Sequence, residues 1–310
     1  MSWTPEDIPS LVGTTAVVTG ANSGVGYYTA LELARHGADV TLAVRTPEKG
    51  ERAAAEMREA IGSNAGRLRV ATLDLASLAS VRAFAESWQG PLGLLVDNAG
   101  LMTPPRYRET ADGFELQFGT NHLGHFALTG LLLPCLLVAP QPRVVVVSSI
   151  AHHQGSANVL EGNPREGYRP SATYGNSKLA NLLFAHELQR RSTLAGSPLT
   201  VTSAHPGVSV TNLVSSEQGL GSIPGFKQLW PFVGRVLFQS SKAGAQPTLY
   251  AATAAEPGSY TGPQSLRESR GRLGPAKLSR LARDETLAGK LWSISEDLTG
   301  VRYEWESSAG

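Results

Sequence analysis

Tyr174 and Lys178 stand four residues apart in Tyr174-Gly175-Asn176-Ser177-Lys178, ahead of the apolar positions Leu179, Leu182 and Leu183. In a helix that spacing puts a phenol and an ammonium on one face, a single turn apart. A free phenol ionises near 10, too high for proton exchange at neutral pH. A neighbouring cation, together with the ring of a bound cofactor, would lower that value and make Tyr174 a candidate general acid/base. The pair alone also occurs by chance in solvated helices, so its neighbours matter. Ser149 follows the β-branched run Val144–Val147 and can hold a substrate oxygen, while Ser148, one step further back, ends the strand. Asn121 shares a long helical segment with Phe114 and Phe118. Buried there, it needs partners: it anchors a water leading to Lys178 or serves as a structural, helix-bending Asn.

A second constellation follows the first β-branched run: Thr19-Gly20-Ala21-Asn22-Ser23-Gly24-Val25-Gly26, opening a helical segment. Gly20 permits a tight turn, Gly24 lets backbone approach a pyrophosphate, and Gly26 lets the helix pack closely on the strand. With Asn22, Ser23 and Val25, the helix N-terminal amides favour an anion. The spacing is GxxxGxG, not the general GxGxxG fingerprint, and glycines serving only tight geometry are the plainer alternative. Where the second run ends, Val44-Arg45-Thr46 replaces the acid that would meet an adenosine 2′-hydroxyl. Arg45, helped by Lys49, can fork onto a 2′-phosphate, which favours NADP(H) over NAD(H); the alternative is a solvated surface charge. Asp74-Leu75 ends the third run and can bond the adenine amino group, unless Asp74 only caps its loop.

These residues need a scaffold, and the pattern supplies one. Apolar runs at Thr15–Val18, Val40–Val44, Leu68–Ala71, Leu94–Val96, Val144–Val147 and Leu199–Thr202 alternate with helical spacing at Val25–His36, Pro47–Ile61, Leu78–Trp88, Asp112–Leu137 and Ala172–Arg191. That alternation predicts an α/β fold: a single doubly wound, Rossmann-type domain over 1–310, six parallel strands with helices on both faces. Gly37 marks the end of the first helix. After Pro206 the pattern loosens. Residues 213–240 are expected to form a substrate-facing lid, followed by helices at Lys242–Ala255 and Thr286–Ile294. Trp230-Pro231-Phe232-Val233 reads equally as a substrate wall or a subunit contact, which leaves a homo-oligomer open.

Composition narrows the partners. With 27 Lys+Arg against 26 Asp+Glu, 41% apolar and 17% charged residues, the chain is of soluble globular type and offers no basic footprint for nucleic acid or an anionic membrane. The single Cys135 cannot form an internal disulfide, so a reducing cytoplasm is the expected location. The longest apolar run, Leu131–Val138, contains Pro134 and falls far short of the ~20 residues of a membrane span. No transmembrane anchor is expected. His122 with His125, and His152 with His153, lack carboxylate or Cys partners at metal-binding spacing, so scaffolding is expected of them and no metal site.

Together and in this order, Thr19–Gly26 as TGxxxGxG, Asp97-Asn98-Ala99-Gly100 beside NNAG, Asn121, Ser149, Tyr174, Lys178, and Pro206-Gly207-Val208-Ser209-Val210-Thr211 as PGxxxT resemble the short-chain dehydrogenase/reductase family over almost the whole chain. Asn121–Phe126, Ser149–His153 and Tyr174–Asn181 resemble its retinol dehydrogenase and WW-domain oxidoreductase branch. The resemblance implies an NADP(H)-dependent oxidoreductase. Ser149 would orient a carbonyl, Tyr174 exchange the proton, Lys178 lower the phenol's pKa and bond the nicotinamide ribose, and Asn121 complete a proton relay. Asn98, with Ala99 and Gly100, would lie along the adenosine side of the cofactor; Pro206, Val208 and Thr211 would line the nicotinamide and phosphates. The expected substrate is a lipophilic aldehyde, ketone or alcohol. Reduction of an activated C=C bond, or an NADP(H)-binding regulatory role with little turnover, are the competing readings. Asp97 departs from the family's Asn, at a position that braces the local turn. Gly155–Pro170 is an insertion expected to loop near the substrate mouth.

Overall fold

The computed structural model describes residues 3–62, 66–207 and 240–305. Val208, Thr211, the Trp230–Val233 cluster and nearly all of the expected lid lie outside the described residues. Each expected strand forms within about two residues of its run: β1 Thr15–Thr19, β2 Asp39–Val44, β3 Leu68–Thr72, β4 Leu94–Asp97, β5 Arg143–Val147 and β6 Thr200–Ala204. Two more join them, β7 Tyr260–Ser265 and β8 Arg270–Pro275, giving the order β3-β2-β1-β4-β5-β6-β7-β8. β8 runs antiparallel to β7, and every other pairing is parallel. The expectation of six strands, all parallel, is corrected accordingly. Gly262, Pro263, Gly271, Gly274 and Pro275 erase the β-branched signature of these last strands, residues tolerated near a sheet edge.

The helices are α1 Gly24–Arg35, α2 Pro47–Ile61, α3 Leu78–Ser87, α4 Leu116–Phe118, α5 Gly124–Leu137, α6 Pro170–Leu194, α7 Ser241–Thr253 and α8 Glu285–Thr299. The helix expected over Asp112–Leu137 starts later and is interrupted by a π-helical turn at Gly119–Leu123. Glu115 sets the start, its carboxylate accepting from the backbone N–H of Gln117 (3.0 Å) and Phe118 (2.8 Å). The expected loop at Gly155–Pro170 contains a short 3₁₀ turn, Ala157–Glu161.

Strand side chains alternate between the faces. Ala16 and Val18 pack with α1, α2 and α7 through Leu33, Met57 and Leu249. Val17 and Leu95 face the layer of α3, α5, α6 and α8 through Phe84, Phe126, Phe184 and Trp292. Val301 and Tyr303, beyond α8, complete this second core. Tyr303 Oη donates to the Phe126 carbonyl at 2.7 Å, and Gly130 leaves the slot for its ring: a Cβ there would sit 2.7 Å from Tyr303 Cε2. Strand order reverses between β1 and β4, so a crevice opens at their carboxyl ends. Among the described residues no helix is long and apolar enough to cross a membrane.

Candidate active site

Both constellations lie at the carboxyl edge of the sheet. The glycine turn leaves β1 with Gly20 (φ 67°) and Gly24 (φ 62°) in the left-handed region, open to glycine at little cost. A Cβ at Gly26 would collide with Asn98 Nδ2 and the Gly20 carbonyl. This glycine therefore lets α1, the turn and the segment after β4 close on one another. Asn98 Nδ2 donates to the Thr19 carbonyl at 2.7 Å, and the Asn98 and Ala99 N–H groups both donate to Thr19 Oγ1 at 2.9 Å. Ser23, the exposed N-cap of α1, makes no side-chain cap hydrogen bond, so the first amides of the helix are not taken by it. Asn22 and Val25 flank it, Val25 buried.

Asp97 does not disturb this turn. Its side chain lies in the core, where Thr129 Oγ1 donates to Oδ2 at 2.9 Å and Oδ1 has no partner among the described residues. Burial raises its carboxyl to about 8, against the hydrogen bond from Thr129. At neutral pH it is a protonated acid.

Arg45 is exposed immediately after β2, and among the described residues no hydrogen bond or ion pair engages its guanidinium. Asp74 follows β3 and does cap its loop, Oδ1 accepting from Ala76 N–H at 3.0 Å. Leu75 is buried, and α5 begins against its carbonyl at Gly124.

Tyr174 and Lys178 do share one face of α6. Lys178 Nζ lies 5.9 Å from the centre of the Tyr174 ring and donates to the Val147 carbonyl at 3.1 Å. Ser148 points inward, its hydroxyl donating to the Lys178 carbonyl at 2.8 Å. Ser149 N-caps the 3₁₀ turn Ile150–Gln154, accepts from Ala151 N–H at 3.2 Å, and lies close enough to Tyr174 for its hydroxyl to lower the phenol's pKa. Asn121 sits in the π-helical turn, Oδ1 accepting from Leu101 N–H (2.9 Å) and Nδ2 donating to the Leu101 carbonyl and Ser177 Oγ (both 3.0 Å). Its side chain thus clamps the loop after β4 onto α6. A Cβ at Gly100 would stand 3.2 Å from Asn121 Oδ1 and 3.5 Å from Lys178 Nζ, so these three converge.

One expectation needs correction. Burial raises the Tyr174 phenol above its ordinary value, and the neighbouring Ser149 hydroxyl opposes this; in the protein alone Lys178 does not lower it. The physical reason is that the ammonium is itself buried, which brings it down to about 8, and it lies over the ring without a hydrogen bond to the hydroxyl.

His125 is the hydrogen-bonded scaffolding expected of it, and Thr19, expected only as the first residue of the glycine turn, is its partner. His125 Nδ1 faces the Asn121 carbonyl at 3.0 Å and Nε2 faces Thr19 Oγ1 at 2.9 Å, so one imidazole joins the glycine turn to the segment that carries Asn121. The signal was present: His125 stands four residues after Asn121, within reach of its carbonyl. His122 and His152 bond Ser295 Oγ and the Ser149 carbonyl. Pro206 is half-buried just past β6.

Comparison with known proteins agrees with this geometry. A family model described as short chain dehydrogenase matches residues 14–219. Human retinol dehydrogenase 14 is 40% identical, over 93% of this chain and 87% of that protein. Mouse polyprenol dehydrogenase is also 40% identical, over 96% and 87%. The crystal structure of an uncharacterised protein from Mycobacterium paratuberculosis is 46% identical, with a TM-score of 0.81 over 98% of this chain and 100% of that one.

Proposed function

The chain belongs to the short chain dehydrogenase family, and on that premise we propose that it is an NADP(H)-dependent oxidoreductase interconverting an alcohol and a carbonyl on a lipophilic substrate. The single observation that carries this reading is the convergence of Ser149, Tyr174 and Lys178 at the sheet edge beside the glycine turn.

The residues present fit a dinucleotide. Left-handed Gly20 and Gly24, the close approach at Gly26 and the uncapped N-terminus of α1 form a cradle for a pyrophosphate. Arg45, exposed and without a partner among the described residues, would take the 2′-phosphate. Such a cofactor supplies the hydride. The protein's own groups orient the substrate and handle the proton. Ser149 Oγ and Tyr174 Oη hold the carbonyl oxygen from one side. In reduction Tyr174 donates its hydroxyl proton as the oxygen gains charge; in oxidation it takes that proton back. A phenol kept protonated by burial is a ready donor, and Lys178, charged at neutral pH, stabilises the phenolate left behind. Asn121 fixes the Gly100–Leu101 backbone beside Lys178 and would complete the relay that restores the proton.

A lipophilic substrate rests on the names of the relatives, which act on retinol and a polyprenol. A cytoplasmic location accords with the lone Cys135. The test is a panel of lipophilic aldehydes, ketones and alcohols assayed by nicotinamide absorbance with NADP(H) and NAD(H). Turnover restricted to NAD(H), or to polar substrates, overturns the finer assignment.

A further inference from the structure

His205 leaves β6 immediately before Pro206 and Gly207, and its ring is fully buried. Its Nδ1 accepts from Gly207 N–H at 3.2 Å, which places the ring proton of the neutral imidazole on Nε2. Among the described residues that nitrogen has no hydrogen-bond partner. The acceptor it faces is Glu268 Oε2 at 3.5 Å, too long for a formed hydrogen bond but close for an electrostatic contact.

Glu268 reaches this position from the turn between β7 and β8, at some cost. Leu266, Arg267 and Glu268 are consecutive non-glycine residues in the left-handed region, at φ 50°, 55° and 63°. Each is disfavoured by about 1 kcal/mol, and such strain persists only where surrounding structure enforces it. Two glycines show what enforces it. A Cβ at Gly262 of β7 would collide with His205 Nε2, and a Cβ at Gly207 (φ 69°) would collide with the Ser269 carbonyl. The hairpin therefore grips His205–Gly207 at three points: under the imidazole, against Gly207, and at Nε2 through Glu268. Glu268 is itself held, Oε1 accepting from Lys277 N–H at 3.0 Å. Although burial opposes ionisation, His205 and the Lys277 amide together keep its carboxyl below the ordinary value, so it is a carboxylate at neutral pH.

We propose that Glu268 is a positioning residue for the hydride-transfer site: acting through His205, it fixes the Pro206–Gly207 backbone at the carboxyl end of β6, beside Ser148 and Ser149. This inference rests on the function proposed above. Ser148 N–H donates to the Ala204 carbonyl at 2.8 Å, so any shift of the β6 terminus is felt at the serine pair. The hairpin is thereby a working part of the site and not only an edge to the sheet.

The experiment compares wild type, Glu268→Gln and Glu268→Ala in full-length protein, measuring NADPH affinity by fluorescence, kcat and KM for coenzyme and for an active carbonyl substrate, and thermal melting without coenzyme. Glu268→Ala is expected to lower kcat/KM for the coenzyme by about ten- to a hundredfold, as small misplacements at a site do. Glu268→Gln, which keeps an acceptor towards Nε2, is expected to recover most of it, with similar melting temperatures throughout. Wild-type coenzyme kinetics in Glu268→Ala, or losses in both variants that follow falling melting temperature, overturn the proposal while leaving the function standing. A wild-type chain that binds no nicotinamide nucleotide overturns both.

Discussion

Thr19 Oγ1 and His125 Nε2 lie 2.9 Å apart in the interior, and the direction of their hydrogen bond is fixed by the other ring nitrogen. His125 Nδ1 faces a carbonyl, which only accepts, so Nδ1 carries the proton and Nε2 accepts from the threonine hydroxyl. Thr19 Oγ1 is then free to receive the Asn98 and Ala99 amides. Replacing His125 by Phe leaves the Thr19 hydroxyl only the longer bond to the Val96 carbonyl at 3.3 Å and removes a donor from the Asn121 carbonyl, so His125→Phe is expected to lose roughly 1–3 kcal/mol of stability in urea unfolding. Unchanged stability would show that neither group depends on the imidazole.

Acid should destabilise the protein through its buried imidazoles. Burial holds His122 near about 3 and His125 and His152 near about 4, while in the unfolded chain each takes a proton near 6.5. The unfolded state therefore binds more protons as pH falls from about 6.5 to 4, and each such histidine removes up to about 1.4 kcal/mol per pH unit. Urea midpoints should drop across that window. A flat profile from pH 7 to 4 would contradict the neutral imidazoles.

Asp97 has the opposite sign. Its carboxyl keeps a proton up to about 8 in the fold and loses it near 3.9 when unfolded, so its contribution to stability declines as pH rises through that interval. Asp97→Asn removes the ionisable group at nearly the same volume. The variant should gain on the wild type as pH rises from 4 to 8, by on the order of a few kcal/mol at the upper end. Parallel stability curves for the two proteins would exclude a raised Asp97.

Tyr174→Phe deletes only the hydroxyl beside Ser149. Turnover should fall by roughly a hundred- to ten-thousandfold, the scale of general acid/base catalysis, with coenzyme affinity within about threefold of wild type. Single-turnover reduction at the wild-type rate would remove Tyr174 from its role.

Arg45→Ala bears on coenzyme choice alone. NADPH binding should weaken by about tenfold or more and NADH binding barely change, because only NADPH carries the 2′-phosphate. Equal losses for the two would dissolve the assignment.

Much of this was readable in the sequence because parallel strands buried on both faces are written as β-branched runs, and β1 to β6 each appeared as one. Tyr174, Lys178, Ser149 and the glycine turn were visible as types at fixed offsets. The β7–β8 hairpin was not, since Gly262, Pro263 and Gly274 are chosen for close approach to His205 and neighbouring backbone and carry no strand signature. The π-helical turn at Gly119–Leu123 was hidden for a related reason: apolar periodicity continues through it while the hydrogen-bond register shifts. The raised Tyr174 value was illegible too, because an i,i+4 spacing says nothing of how deeply both groups are buried.

The slot that Gly130 leaves for Tyr303 has a consequence for biosynthesis. Tyr303 and Val301 share a core with Val17 and Leu95, so residues made first wait for residues made nearly three hundred positions later before that layer can close. During translation the part of α5 around Gly130 stays uncovered until Tyr303 clears the ribosome, so that layer closes last.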